Sequence, residues 1–380
     1  MFGLYTSAFG DLTWGNIVML VIAGLLIYLG IARKMEPLLL VPIGFGVLLV
    51  NLPLGGLMEF VDGEPVGLLA RVFRGGISTE LIPAFIFLGL GALTDFGPLI
   101  ANPKTLILGA GAQFGVFFAF LVALLIGNAF PDFLAIGVKE AAAIGIIGGA
   151  DGPTTVYLTN RLAPDLIGVT AVAAYTYMAL VPIIQPPIIR LLTTKAERAI
   201  YMKPQMKPVS RRQKILFPVV TAVIIILMVP RSAPLIGMFM FGNLLVVSGV
   251  TDRLADTAAN AFMNVLTILL GLSIGAFMSA EAFLKADSLV VLGLGVVAFA
   301  TSTAAGVLLA KLMNVFSKEK INPMIGAAGL SAVPMASRVV QRMGQQANPQ
   351  NFLLMHAMGP NIAGVIGTAT AAGVFLGILG

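Results

Sequence analysis

Apolar positions along this chain gather into long blocks: Gly15–Ile31, Leu106–Ile126, Leu166–Leu192, Ile215–Val229, Ser288–Leu312 and Ile362–Leu379. A helix needs about 20 predominantly apolar residues to cross a hydrocarbon core, and these blocks reach or approach that length. Several such blocks predict an all-α polytopic membrane protein. The first block is expected to be a mature span and not a cleaved leader, because no Lys or Arg precedes it and more membrane sequence follows at once.

The two halves of the pattern echo each other. LGLGALTDFGPLI at Leu88–Ile100 resembles LGLSIGAFMSAEAFL at Leu270–Leu284, and IGIIGGADGP at Ile144–Pro153 resembles IGAAGLSAVP at Ile325–Pro334, pairing Gly145 with Gly326 and Pro153 with Pro334. Phe45–Val50 pairs with Phe241–Val246 at a somewhat larger spacing. A near-constant spacing predicts two inverted-topology repeats of a secondary-transporter type, enclosing a site near the bilayer midplane. The expected divisions are an N-terminal transmembrane helix over 1–35, a first membrane repeat over 36–194, a basic cytoplasmic loop over 195–214 and a second membrane repeat over 215–380.

Each repeat holds one segment that is a poor continuous helix. Gly145, Gly148, Gly149, Gly152 and Pro153 interrupt the first, and Pro323, Gly326, Gly329 and Pro334 the second; MGPNIAG, with Gly359, Pro360 and Asn361, predicts a third break. Non-helical backbone at membrane depth is tolerated only where protein buries it or where it lines a cavity. Broken helices or re-entrant hairpins around a site are therefore expected.

Composition narrows the chemistry. Hydrophobic residues make up 58% and charged residues 11%, with mean hydropathy +0.99, where soluble domains carry about 25% charged residues. With no cysteine and one histidine, His356, thiolate metal sites, disulfides and multi-histidine centres are excluded. The net charge of +6 is concentrated in Lys195–Lys214, which holds Lys195, Arg198, Lys203, Lys207, Arg211, Arg212 and Lys214. That is a cytoplasmic topology signal, not a nucleic-acid surface.

Oxygen-bearing residues cluster at the breaks: Asp151, Thr154, Asn322, Ser331 and Asn361. Asp-Gly-Pro makes a good helix start, yet a carboxylate at membrane depth is costly and marks ion or proton paths, so Asp151 is expected to serve as both cap and site. Unwound carbonyls and carboxylates suit a hard cation such as sodium, and free N–H groups suit an anion. Arg338 reads equally as a snorkelling arginine or an anion contact. Tyr177 and His356 read by themselves as packed or interfacial residues, and Lys139 and Glu140 as flanking charges.

GGADGPT at Gly148–Thr154, YTYMALVPIIQPP at Tyr175–Pro187, GNLLVVSGV at Gly242–Val250 and NPMIGAAGLSAVPMASR at Asn322–Arg338 resemble the membrane β subunit of biotin-dependent, sodium-pumping decarboxylases, whose members act with oxaloacetate, methylmalonyl-CoA or glutaconyl-CoA. The resemblance implies a subunit of a prokaryotic cytoplasmic membrane that decarboxylates carboxybiotin, consumes a proton and exports Na+. Its implied partners are a biotin carrier domain or subunit, a soluble carboxyltransferase α subunit and a small membrane γ-type subunit, in a homo-oligomer. It implies catalytic roles for Asp151, Tyr177 and Arg338, carboxybiotin contacts at Arg338, Gly326 and Ser331, and Na+ ligands at Asp151, Asn322, Ser331 and Asn361.

Two other classes fit the residues alone. A stand-alone sodium-coupled carboxylate transporter would share the repeats and breaks but need no biotin protein. A non-catalytic membrane scaffold would leave Asp151 and Arg338 as structural residues, and would tolerate loss of Asp151.

Overall fold

The computed structural model describes residues 8–131, 136–203 and 208–380; Lys207 of the basic stretch lies outside them. α1 (Trp14–Ile31) and α2 (Pro37–Val50) precede a hairpin of β1 (Phe60–Val61) and β2 (Glu64–Pro65), paired antiparallel. α3 (Leu68–Ile77) and α4 (Leu81–Leu93) meet at 65°. α5 (Gly97–Ala101), α6 (Thr105–Ala112) and α7 (Phe114–Ala129) follow, then a helical hairpin of α8 (Val138–Gly145) and α9 (Gly152–Leu162). α10 (Ile167–Leu192) runs on to the basic loop, which opens with α11 (Lys195–Arg198).

The second half carries α12 (Arg211–Met228), α13 (Ala233–Val247), α14 (Asp252–Thr257), α15 (Met263–Ala276), α16 (Ala280–Phe283) and the 31-residue α17 (Ala286–Phe316). A second hairpin, α18 (Met324–Ala327) and α19 (Met335–Ala347), precedes α20 (Leu354–Leu379). Seven helical stretches among the described residues are long and apolar enough to cross a bilayer, or eight if bent α3–α4 is one span. The protein is a multi-pass, all-α membrane protein.

Span positions differ from expectation in three places. Pro230–Val247 and Asp252–Ala276 qualify as spans although neither formed an obvious apolar block. The block at Ile215–Val229 is the apolar part of α12, an 18-residue helix that does not qualify because Arg211, Arg212 and Lys214 occupy its first turn. The expected third break is absent: α20 runs unbroken through Gly359, Pro360 and Asn361. Pro360 forgoes one hydrogen bond, to the carbonyl four residues back, and a transmembrane helix packed among others tolerates that loss.

Burial sorts the helices. The α1 span has 22% of its residues inside the protein, against 67% for α10 and for α20, so α1 faces lipid and the other two hold the centre. Among the helix pairs that cross at glycine, two are alike. Gly46 of α2 lies against the Leu272 carbonyl of α15, and a Cβ on Gly275 of α15 would stand 2.1 Å from the Ile43 carbonyl of α2. α13 and α4 cross in the same manner: Gly242 lies against the Leu88 carbonyl, and a Cβ on Gly91 would stand 1.9 Å from the Phe239 carbonyl. Only hydrogen in place of a side chain lets backbones approach so closely.

Candidate functional site

The first hairpin turns because its sequence cannot stay helical. After α8 the chain tightens into a 3-10 turn at Ile146–Gly149, and Ala150 adopts a left-handed conformation at φ 54°. Asp151 is extended and caps α9: its Oδ1 accepts from the Thr154 amide at 3.0 Å, while Pro153 in the first turn needs no partner for the N–H it lacks. The Thr155 hydroxyl donates to the Asp151 carbonyl at 2.8 Å.

The second hairpin meets the first at this cap. The Ser331 hydroxyl donates to Asp151 Oδ2 at 2.7 Å and the Ser331 amide to the Gly149 carbonyl at 2.9 Å. α20 closes the arrangement through Asn361, whose Nδ2 donates to the Leu330 carbonyl at 2.5 Å and whose Oδ1 accepts from the Ser337 hydroxyl at 3.0 Å. Asp151, Ser331 and Asn361 are all buried, at 4%, 5% and 0% exposure, so these oxygens are shielded from bulk water.

Two further hydroxyls, Thr154 Oγ1 and Tyr175 Oη, are buried with no hydrogen-bond partner. An unpaired hydroxyl in a buried site costs of the order of 1–3 kcal/mol, which marks both as groups with a partner to gain. Tyr175 lies on Gly152, where a Cβ would stand 2.1 Å from the ring's Cζ, so its hydroxyl-bearing end borders the Asp151 cap. The family resemblance implies a role for Tyr177, two residues further along α10. Tyr177 packs on α17, its ring against Gly295 and its hydroxyl donating to the Leu292 carbonyl at 2.6 Å.

Among the described residues, the remaining candidates form no hydrogen bond with Asp151, Ser331 or Asn361. Asn322 is fully buried but its Nδ2 donates to the Arg198 and Ile200 carbonyls at 2.8 and 3.0 Å and its Oδ1 accepts from the Met324 amide. It fastens the start of the second hairpin to the basic loop. Gly326 is pressed onto α17, where a Cβ would meet the Gly306 carbonyl at 2.0 Å. Arg338 is exposed on α19, and no carboxylate lies within 4.0 Å of it among the described residues. Its charge reaches Glu36, in the loop between α1 and α2, whose carboxyl burial pushes up and the Arg338 guanidinium partly draws back. His356 Nε2 lies 2.8 Å from the Lys203 carbonyl of the basic loop.

A family described as the Na+-transporting oxaloacetate decarboxylase beta subunit matches residues 15–379. The methylmalonyl-CoA decarboxylase subunit beta of Propionigenium modestum is 53% identical over 99% of this chain and 98% of its own length. The glutaconyl-CoA decarboxylase subunit beta of Acidaminococcus fermentans is 54% identical over 98% of this chain and 96% of its own. The oxaloacetate decarboxylase beta chain of Klebsiella pneumoniae is 51% identical over 95% and 94%.

Proposed function

The chain belongs to the Na+-transporting oxaloacetate decarboxylase beta subunit family, and from that premise we propose that it decarboxylates carboxybiotin held by a partner's carrier and exports Na+ as it does so. In this step the N–C bond to the carboxyl group breaks, neutral carbon dioxide leaves, and one proton is taken up by the biotin nitrogen. Relatives named for three different acids are about equally similar to the chain. That supports a reading in which the acid is chosen by a soluble α subunit and this subunit handles the step common to all.

The observation that carries the proposal is the Ser331 hydroxyl on the Asp151 carboxylate, where two broken segments meet. Asp151, Ser331 and Asn361 offer a carboxylate and neutral oxygens in a dry place, the donor set a hard monovalent cation needs. Thr154 Oγ1, unpartnered beside them, supplies one more oxygen. Arg338 is the residue for the anionic substrate, since a guanidinium fork pairs with a carboxylate and would repel the cation if placed inside its cage. Tyr177, bonded to α17, serves as a positioning residue between α10 and α17, and Asn322 holds the inner end of the second hairpin.

We read the architecture as two inverted repeats. Its support is the direction from which each hairpin enters. α10 joins the end of α9 to the basic loop across 26 residues, so the first hairpin opens on the face opposite that loop. The second opens on the loop's own face, since Asn322 bonds Arg198 and Ile200 there. The crossings of α2 with α15 and of α13 with α4, alike in their glycine contacts, support the same reading.

The test is Asp151→Asn in vesicles with its carrier. Carboxybiotin turnover is expected to lose its dependence on Na+, and Na+ transport to fall to background. Sodium activation unchanged from wild type would refute the assignment.

A further inference from the structure

A groove between α10 and α19 at the basic-loop face takes no part in the steps above. It consists of two adjoining cavities of about 310 Å3 each. Arg190, Lys195 and Arg198 line the outer one, and the inner one runs along the apolar Pro182–Pro186 side of α10 to Val339 and Arg342 of α19. Arg190, Met343 and Gln346 border both, which makes them one continuous hollow.

Its charge is uncompensated. Among the described residues, Arg190, Lys195 and Arg342 have no carboxylate within 4.0 Å; Glu197, the acid of α11, is paired with Lys311 at 3.0 Å. Arg198 donates to the carbonyl and hydroxyl of Thr193 and keeps its positive charge. Arg342 follows Arg338 by one helical turn on α19, the spacing that puts two side chains on one face. The groove thus leads inward from a cluster of cations to Val339 and Arg342, and Arg338 stands one turn further along the same helix.

We propose that this groove admits the carboxylated end of a carrier's flexible arm, with Arg190 and Arg342 as guiding contacts that hold the carboxylate before it reaches Arg338. The inference rests on the carboxybiotin reading above. A hollow with like charges on low-dielectric walls concentrates anions and speeds their capture in a salt-dependent way. The proline and methionine walls suit an aliphatic arm, and the guanidinium forks suit its terminal carboxylate. Contacts made before the reacting position act on capture and leave the chemical step alone.

The experiment uses the protein in vesicles with purified carboxylated carrier titrated in, at two salt concentrations. In the double variant Arg190→Gln, Arg342→Gln, KM for the carrier should rise about tenfold with kcat nearly unchanged, and kcat/KM should lose much of its salt dependence. Sodium activation should stay as in wild type, which shows an intact fold. Arg212→Gln, on α12 outside the groove, should change none of these. Unchanged KM and salt dependence in the double variant, or an equal effect from Arg212→Gln, would overturn the proposal. So would a KM shift that vanishes in purely zwitterionic vesicles, which would assign the groove to an anionic lipid headgroup. Wild-type protein that releases no carbon dioxide from the carrier would instead defeat the carboxybiotin reading, and the groove's role with it.

Discussion

At the residue scale, Asp151 was legible because a short run carries both signals: Asp-Gly-Pro starts a helix, and the apolar sequence around it puts that start at membrane depth. Its link to Ser331, 180 residues away, was legible only through the matching glycine and proline positions of the two breaks. Tyr175 was not. Residues two apart on a helix point to nearly opposite faces, and nothing in Tyr175-Thr176-Tyr177 says which ring faces the break. The packing decides it, with Tyr175 on Gly152 and Tyr177 on Gly295. Because the Tyr175 hydroxyl has no partner, removing it breaks no hydrogen bond, so Tyr175→Phe should leave thermal stability at or slightly above wild type. If that hydroxyl serves the cation, the same variant should need about tenfold more Na+ for half-maximal activation, about 1.4 kcal/mol. A sodium requirement equal to wild type would remove Tyr175 from the site. Tyr177→Phe is expected to lose roughly 0.6 kcal/mol of stability with its bond to Leu292.

At the element scale, blocks with few polar residues announced themselves, and those with charged ends did not. Pro230–Val247 has the lowest hydropathy of the spans, 1.3, with Arg231 in its first turn, and Asp252–Ala276 begins with Asp252, Arg253 and Asp256. The charged residues fall at the start of each, Arg231 in one and Asp252, Arg253 and Asp256 in the other, and leave the rest of each span apolar. Pro360 misled in the opposite direction, since one proline in a long buried helix removes a hydrogen bond without ending the helix. The glycine crossings set the tightest constraint. Gly91→Ala and Gly275→Ala each force a methyl onto a carbonyl of the crossing helix, and each should cost about 1–3 kcal/mol, seen as a lowered Tm in detergent. Similar losses are expected because the two contacts are alike. Gly24 of α1 has nothing within 4 Å of an added Cβ, so Gly24→Ala should be neutral or mildly stabilising. A destabilised Gly24→Ala, or a tolerant Gly91→Ala, would contradict the packing described.

At the scale of the whole molecule, the question is whether the two hairpins reach the Asp151–Ser331 contact from opposite faces of the membrane. On the proposed topology, the basic loop marks the inner face by its positive charge. Lys311, near the end of α17, is paired with Glu197 of that loop, so the start of this 31-residue helix, at Ala286, lies on the face opposite the loop. Asn51, bonded to the Met278 carbonyl and the Ala280 amide just ahead of α17, lies there too. α10 carries the chain back from the first hairpin to the loop, which puts Lys139 and α9's end outside. Gln346, bordering the hollow shared with Lys195 and Arg198, puts the end of α19 inside. The chain has no cysteine, so each introduced one is unique. Lys139→Cys and Gln345→Cys, both at exposed positions, should react with a membrane-impermeant thiol reagent from opposite sides: the first in sealed right-side-out vesicles, the second only in inverted ones. A single-file uniporter built from parallel repeats would label both from one side. Labelling of both from the same side would therefore remove the inverted arrangement, and with it a cation site reached alternately from either face.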